Sequence, residues 1–239
     1  MKVSCICCTY GRPDLLEEAI ESFLRQDFPA EQRELVVWNT MNRQKLVLKQ
    51  PGVRIINDPI RPSTLGETRN RCIGQCLGEL LLTWDDDDIY LPGYISWLVK
   101  RMDGRDWVKQ NHRWSVGADR KFHLSEQATN QMMFRKSAWL KAEGYPHMDS
   151  GEDRVFVDRL RVVSNGSIEP CQRDEIGFIY RFGHGPYNIS GIGPTIPGRP
   201  TGMREVERLV MIKTHRFGTI NLRPHWNADY EQLVKAVKL

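Results

Sequence analysis

The sequence predicts an α/β protein with a mostly parallel, twisted sheet flanked by helices. Apolar runs of strand length alternate with amphipathic helical stretches through residue 102, the pattern that βα units leave in a sequence. Most of these runs end in a polar or glycine-containing turn before the next helix begins. A third observation is the stretch Leu80-Leu81-Leu82-Thr83-Trp84-Asp85-Asp86-Asp87-Asp88, in which a buried-strand pattern discharges into four consecutive carboxylates. Open α/β sheets hold their ligands at such strand ends.

In chain order, Val3 to Cys8 is the first apolar run, ending in Thr9-Tyr10-Gly11-Arg12-Pro13. Pro13 suits the first position of a helix, and Leu15, Leu16, Ala19, Ile20, Phe23 and Leu24 follow at a period near 3.6. Glu34 to Trp38 is a second strand, ending in Asn39-Thr40-Met41-Asn42, with a short helix expected around Gln44 to Leu48. Val53 to Ile56 is a third strand, followed by a proline-rich passage, Asn57 to Leu65. Gly66-Glu67-Thr68-Arg69-Asn70 opens a helix that turns Cys72, Ile73, Cys76 and Leu77 to the core. After the acidic strand, Pro92 starts another helix, with Tyr94, Leu98 and Met102 on its buried face.

Beyond residue 103 the strands become shorter and more polar: Trp107 to Lys109, Arg113 to Val116 and Gln131 to Phe134. Ser137 is expected to cap a helix over Ala138 to Ala142, which Gly144 ends. Met148-Asp149-Ser150-Gly151-Glu152-Asp153-Arg154 opens a helix that buries Val155, Phe156, Val157 and Leu160. Ile168 and Ile176 to Tyr180 mark the last strands, and Met203 to Lys213 and Asp229 to Val237 the last helices. Residues 183–202 hold Gly183, Gly185, Gly191, Gly193, Gly198 and four prolines, and so long an irregular stretch in a compact domain reads as a functional lid or a disordered link.

At 239 residues, with 40% hydrophobic and 27% charged residues, the chain has the composition of a globular protein with a substantial core, which excludes the disordered and fibrous classes. No apolar run reaches the length of a membrane span, and the first residues turn polar too quickly for a signal peptide, so a cytoplasmic location is expected. Cys5, Cys7 and Cys8 lie in a strand, Cys72 and Cys76 stand one helical turn apart and Cys171 is alone; they read as reduced core thiols rather than zinc ligands. The net charge of +4 permits an anionic partner and demands none.

Four adjacent aspartates repel one another, so a cation is expected to offset them. In an extended segment Asp85 and Asp87 reach one side while Asp86 and Asp88 face elsewhere. One or two such carboxylates can hold a divalent ion and leave its other positions to water and phosphate oxygens.

The order of these features is distinctive: a strand ending in Thr9-Tyr10, a strand ending in Asn39, a helix opened by Arg69-Asn70, the run Asp85 to Asp88, then Gly151-Glu152-Asp153 on a helix. Over roughly residues 2–163 the chain resembles the family 2 glycosyltransferases, nucleotide-sugar enzymes of the GT-A fold. The resemblance implies a GT-A type domain over residues 1–182, with a nucleotide-binding half (1–102) and an acceptor half (103–182) carrying a smaller mixed sheet. A lid loop (183–202) and a C-terminal helical extension (203–239) would follow. Thr9 and Tyr10 would lie against the base, and Arg12, Arg69, Asp85 and Asp86 against the rest of the nucleotide sugar. Asn39 stands where the family carries an aspartate, which leaves the identity of the base open. Asp85 and Asp87 would form the DxD pair that holds Mn²⁺ or Mg²⁺, with His184 as a further ligand.

Asp153 matches the catalytic base of an inverting displacement. The activity implied is metal-dependent transfer of a sugar from a nucleoside-diphosphate sugar to a hydroxyl of a glycan or small acceptor. A transferase acting on a modified DNA base stays open, because Arg204, Arg208, Lys213, His215, Arg216, Arg223 and His225 make the C-terminal third basic. So do a nucleotidyltransferase and an inactive nucleotide-sugar-binding module.

Overall fold

The computed structural model describes residues 2–117, 119–181 and 216–237. At its centre, β1 (Val3–Thr9) runs parallel to β2 (Arg33–Asn39) on one side and to β5 (Leu80–Thr83) on the other. β4 (Val53–Asn57) continues the parallel set beyond β2. Beyond β5 the sheet turns mixed. β10 (Met133–Arg135) lies antiparallel to β5 and to β7 (Trp107–Gln110), and β11 (Gly166–Glu169) closes the edge parallel to β7, giving the order β11-β7-β10-β5-β1-β2-β4. Thr9 pairs with Asn39 and Ile6 with Thr83, so the polar ends of all three central strands emerge along one edge of the sheet.

Every residue of β2 is buried, as expected of a parallel strand covered on both faces. One face packs on α1 (Pro13–Leu24) and α3 (Tyr94–Arg101), where Leu16, Ala19, Ile20 and Phe23 meet Leu82, Trp84 and Leu98. The other is covered by α2 (Leu65–Gly74), α4 (Lys136–Lys141) and α5 (Glu152–Val163), which bring Cys72, Ile73, Ala138 and Phe156 onto Ile6, Leu81 and Phe134. Each large apolar side chain so buried contributes about 1.5–3 kcal/mol. A smaller mixed sheet, β6 (Ile89–Tyr90), β12 (Phe178–Arg181), β8 (Arg113–Val116) and β9 (Phe122–Ser125), stands beside the large one. All six cysteines are free thiols. Among the described residues no helix is long and apolar enough to cross a membrane.

Several local expectations are corrected. Gln44 to Leu48, read as a helix, contains β3 (Gln44–Val47), because it pairs in parallel with β13 (Gly218–Asn221) from the far end of the chain. α4 starts at Lys136 with Arg135 at its cap position, so Ser137 lies inside the helix. α3 begins at Tyr94 after Gly93, two residues beyond Pro92. Leu77 lies past the end of α2 and is 66% exposed, and Val155 is half-buried. The strands β6 and β9 have no clear periodicity. The closing helix is Tyr230–Lys235, with the Asp229 carboxylate accepting from Gln232 N at 3.0 Å. The lid over 183–202 and the helix Met203 to Lys213 lie outside the described residues.

Candidate active site

The site assembles where the parallel strands end. After β1 the chain turns through Gly11, whose φ of +70° is in the region glycine reaches without strain. Arg12 then occupies the cap position of α1, and Pro13 the first turn. From there the guanidinium reaches across to the acidic loop. Its Nε donates to Asp86 Oδ2 at 3.2 Å and its Nη1 to Asp87 Oδ2 at 2.8 Å, while Nη2 donates to the other oxygen of Asp86.

The loop itself is clamped by aromatic rings. Trp84 and Tyr90 stack with centroids 3.6 Å apart, Trp84 Nε1 donates to Ala19 O at 3.0 Å, and the Tyr90 hydroxyl accepts from Asp85 N at 2.6 Å. On the α2 side, Arg69 Nη2 lies 3.2 Å from Asp85 Oδ1 and 3.4 Å from Glu152 Oε1. Gln131 Nε2 donates to Asp85 Oδ2 at 2.6 Å. On the far side, Arg181 donates its backbone N–H to Asp88 Oδ1 at 2.9 Å and its Nε to Asp87 O. Three arginines therefore hold the aspartate run. The cations that the repulsion among the four carboxylates calls for are thus supplied by the protein itself.

Asp153 is delivered by a loop docked on α2. Gly66 N donates to Met148 O at 3.1 Å, and a Cβ on Gly66 would sit 1.8 Å from Pro146 O, so this close approach requires glycine. Asn70 Nδ2 donates to Tyr145 O at 2.9 Å, and its Oδ1 accepts from Tyr145 N at 2.9 Å and Trp139 Nε1 at 3.0 Å. Gly151, at φ +76°, then starts α5 with Glu152 buried and Asp153 half-buried. The Asp153 carboxylate accepts from Arg154 N at 2.7 Å.

These elements enclose a cavity of about 250 Å³. Its walls carry six carboxylates, Asp85, Asp86, Asp87, Asp149, Glu152 and Asp153, against two guanidiniums, Arg12 and Arg69. The imbalance shows in the titration of the site. Burial pushes Asp86 up to about 7 with Arg12 pulling against it. Burial also raises Asp85, opposed by Arg69 and reinforced by the charges of Asp87 and Asp153. Glu152 is raised by burial against the pull of Arg69. For Arg69 burial works against the charge, yet Asp85 and Glu152 outweigh it and hold the guanidinium well above its ordinary value.

Of the residues singled out in the sequence, Arg12, Arg69, Asp85, Asp86, Asp87 and Asp153 line this one cavity. Thr9 is buried at the end of β1, and the Tyr10 ring lies under the Arg61 guanidinium at 3.6 Å; neither lines the cavity. Asn39 is fully buried and faces inward. Its Nδ2 donates to Gln44 O at 3.1 Å and Asn57 Oδ1 at 3.0 Å, and its Oδ1 accepts from Met41 N at 3.1 Å, so it fixes the turn after β2. His184 lies outside the described residues. Sequence reasoning assigned no site role to Gln131, Asp149, Glu152 and Arg181, because their partners are distant in the chain.

Residues 4–160 match the family described as Glycosyl transferase family 2. The chain belongs to this family. The chain is 27% identical over 112 residues to the uncharacterized glycosyltransferase YwdF of Bacillus subtilis (strain 168), an alignment taking in 45% of this chain and 41% of YwdF. Among solved structures it is similar to S. aureus TarS 1-349 in complex with UDP-GlcNAc, with a TM-score of 0.64 and 17% identity over 89% of this chain and 66% of that one. It is also similar to the mannosyltransferase PcManGT from Pyrobaculum calidifontis in complex with GDP-Man and Mn²⁺, with a TM-score of 0.55 and 16% identity over 74% and 56% of the two chains. At these identities the likeness carries the fold. The chain spans less than two-thirds of the length of each relative.

The donor set of the cavity fits a hard divalent cation. Its ligand atoms are carboxylate oxygens, and Asp85 and Asp87 are both partly open to the cavity. Among the described residues no group of three His, Cys, Asp or Glu side chains forms a ready cage. A site that shares its ion with substrate phosphates needs only one or two protein carboxylates. In the described part of the basic C-terminal third, Arg216 is paired with Asp14 and Glu17 of α1, the His225 ring bonds Arg223 O and Asn227 Oδ1, and Arg223 is exposed.

Proposed function

We propose that this glycosyltransferase moves a sugar from a nucleoside-diphosphate donor to an acceptor hydroxyl by a single inverting displacement that depends on a divalent cation. The observation that carries the reading is the charge of the cavity, where six carboxylates face two guanidiniums. An anionic diphosphate entering such a cavity needs added positive charge. A divalent ion held by Asp87 and Asp85 would supply it and stabilise the charge on the leaving diphosphate. The UDP-GlcNAc and GDP-Man complexes of structural relatives support a nucleotide-sugar donor of this kind.

In this mechanism Arg69 and Arg12 face the diphosphate, and their permanent charge orients it. The cavity takes the diphosphate and part of the sugar, and the base lies beyond it against Tyr10, whose ring Arg61 holds in place. Asp153 takes the proton of the acceptor hydroxyl while that oxygen attacks the anomeric carbon. The bond from the anomeric carbon to the diphosphate oxygen breaks, and the nucleoside diphosphate leaves with the electron pair. One base suffices, because no covalent intermediate forms.

Product analysis over a panel of nucleotide sugars tests this reading. Incubation with UDP- and GDP-sugars is expected to release the nucleoside diphosphate with Mn²⁺ and to stop when EDTA is added. Release of pyrophosphate from a nucleoside triphosphate, or release indifferent to EDTA, would contradict it.

A further inference from the structure

Outside the donor cavity, β8 carries a buried cation that has no ion-pair partner among the described residues. Arg113 is only 9% exposed. Among the described residues it has no carboxylate partner: its guanidinium donates to Gln127 Oε1 at 2.8 Å and Asn130 Oδ1 at 3.3 Å and rests 4.6 Å from the centroid of the Tyr180 ring. Its Nε is buried with no hydrogen-bond partner. A guanidinium does not shed its proton, so two amide oxygens and a ring face soften this charge without neutralising it, and the buried Nε donor remains unmade.

Arg113 lines a groove of about 540 Å³ with Ser115, His123, Gln127 and Tyr180. The groove adjoins the donor cavity through Asn130, which accepts from Arg113 and lines the cavity that also holds Asp153. A second cation stands nearby. Lys109 of β7 is half-buried without an ion-pair partner among the described residues. Burial and then the charge of Arg161 push its pKa down, Asp153 pulls against them, and Arg113 pushes it down further. Lys109 therefore feels both the groove and the base. Burial likewise lowers Arg113, against the pull of Tyr180 and Asp88.

We propose that the Arg113 groove is an acceptor subsite for an anionic group, a phosphate or carboxylate carried by the sugar or polyol whose hydroxyl is glycosylated. The inference rests on the assignment of Asp153 as the base. An oxyanion in the groove supplies the missing counter-charge and can take up the Nη hydrogens that Gln127 and Asn130 leave unused. Binding there places the rest of the acceptor beside Asn130 and toward Asp153.

The test uses the full chain and four probes: glycerol 1-phosphate and glucuronate, each beside its neutral counterpart, glycerol and glucose. In the first arm, the Arg113 Nε–H resonance, identified by its absence from R113K, is followed during titration. Saturable shifts with an anionic probe and none with glycerol or glucose are expected, and the responding probe tells phosphate from carboxylate. No shift, or equal shifts with the neutral probes, overturns the proposal.

In the second arm, nucleoside-diphosphate release is measured with each probe as acceptor. The anionic member of a pair is expected to have a KM roughly tenfold to a hundredfold below its neutral partner, the scale of a charge-assisted hydrogen bond. R113Q should erase that gap with the donor KM unchanged, and R113K should keep part of it. A gap that survives in R113Q overturns the proposal while the donor reading stands. If no nucleotide sugar is turned over at all, the donor reading fails, and the resonance arm still decides the anion site.

Discussion

Replacing Asp153 by Asn is expected to lower the rate of sugar transfer by about 10²–10⁴-fold, the usual contribution of a positioned general base, with nucleoside-diphosphate binding retained. The substitution is close to isosteric, and the amide oxygen can still accept from Arg154 N, as the carboxylate does at 2.7 Å, so the start of α5 should survive. The loss is confined to proton acceptance. Removing the charge also relieves Asp85, whose carboxyl Asp153 helps to raise, so donor binding has no electrostatic reason to weaken. Single-turnover transfer beside calorimetric binding of the nucleoside diphosphate separates the two effects. Unchanged turnover would remove Asp153 from the mechanism. Glu152→Gln makes an instructive contrast, because it breaks the contact with Arg69 and should act on donor binding instead.

Glu18→Gln should have the largest effect on stability. Glu18 is 2% exposed and accepts from Arg181 Nη1, from the Tyr230 hydroxyl at 2.6 Å and from Asn227 N at 3.0 Å. Arg181, at 4% exposure, also holds the acidic loop through Asp87 O and the Asp88 carboxylate. Glu18 thus joins α1, the C-terminal segment and the loop in one buried network. Taking one partner from a buried pair costs about 3–5 kcal/mol. For a domain of this size that lowers the melting temperature by roughly 6–20 °C.

The pH dependence has a definite sign. Burial alone would raise the Glu18 carboxyl, but Arg181 and the bonds from Tyr230 and Asn227 outweigh it and hold the carboxyl below its ordinary value. Between the folded and unfolded values the unfolded chain binds more protons. The stabilisation is therefore complete above the ordinary glutamate value of about 4.3 and is lost as pH falls through the folded value. Melts of wild type and variant should show a constant gap near neutrality that closes in acid. A gap independent of pH would place the stabilisation elsewhere.

Much of this architecture is legible in the sequence because it is local. The full burial of β2 and the 3.6-residue stripe of α1 are written in consecutive residues, and the strand-to-aspartate junction at Trp84 marks the site. What escapes is set by distant partners. Gln44 to Val47 is a strand because Gly218 to Asn221 lies beside it, and no local period announces that. Asn39 occupies a position associated with the base, yet its amide is taken up by the turn it supports. Arg181 and Arg113 are strand arginines like any other in sequence; only the folded chain shows one tied to Glu18 and the other without a carboxylate partner among the described residues. The repulsion among Asp85 to Asp88 correctly called for cations, and the fold meets it with arginines before any metal binds.

The most direct test of the site is calorimetric titration of the full chain with UDP and with GDP, each in Mn²⁺ and again in EDTA. With six carboxylates facing two guanidiniums, Mn²⁺ is expected to tighten binding of one of the two nucleotides by roughly tenfold or more, and Asp87→Asn should abolish that gain. Equal affinity in Mn²⁺ and EDTA would mean that Arg12 and Arg69 receive the diphosphate unaided, and the cation-dependent site would be contradicted.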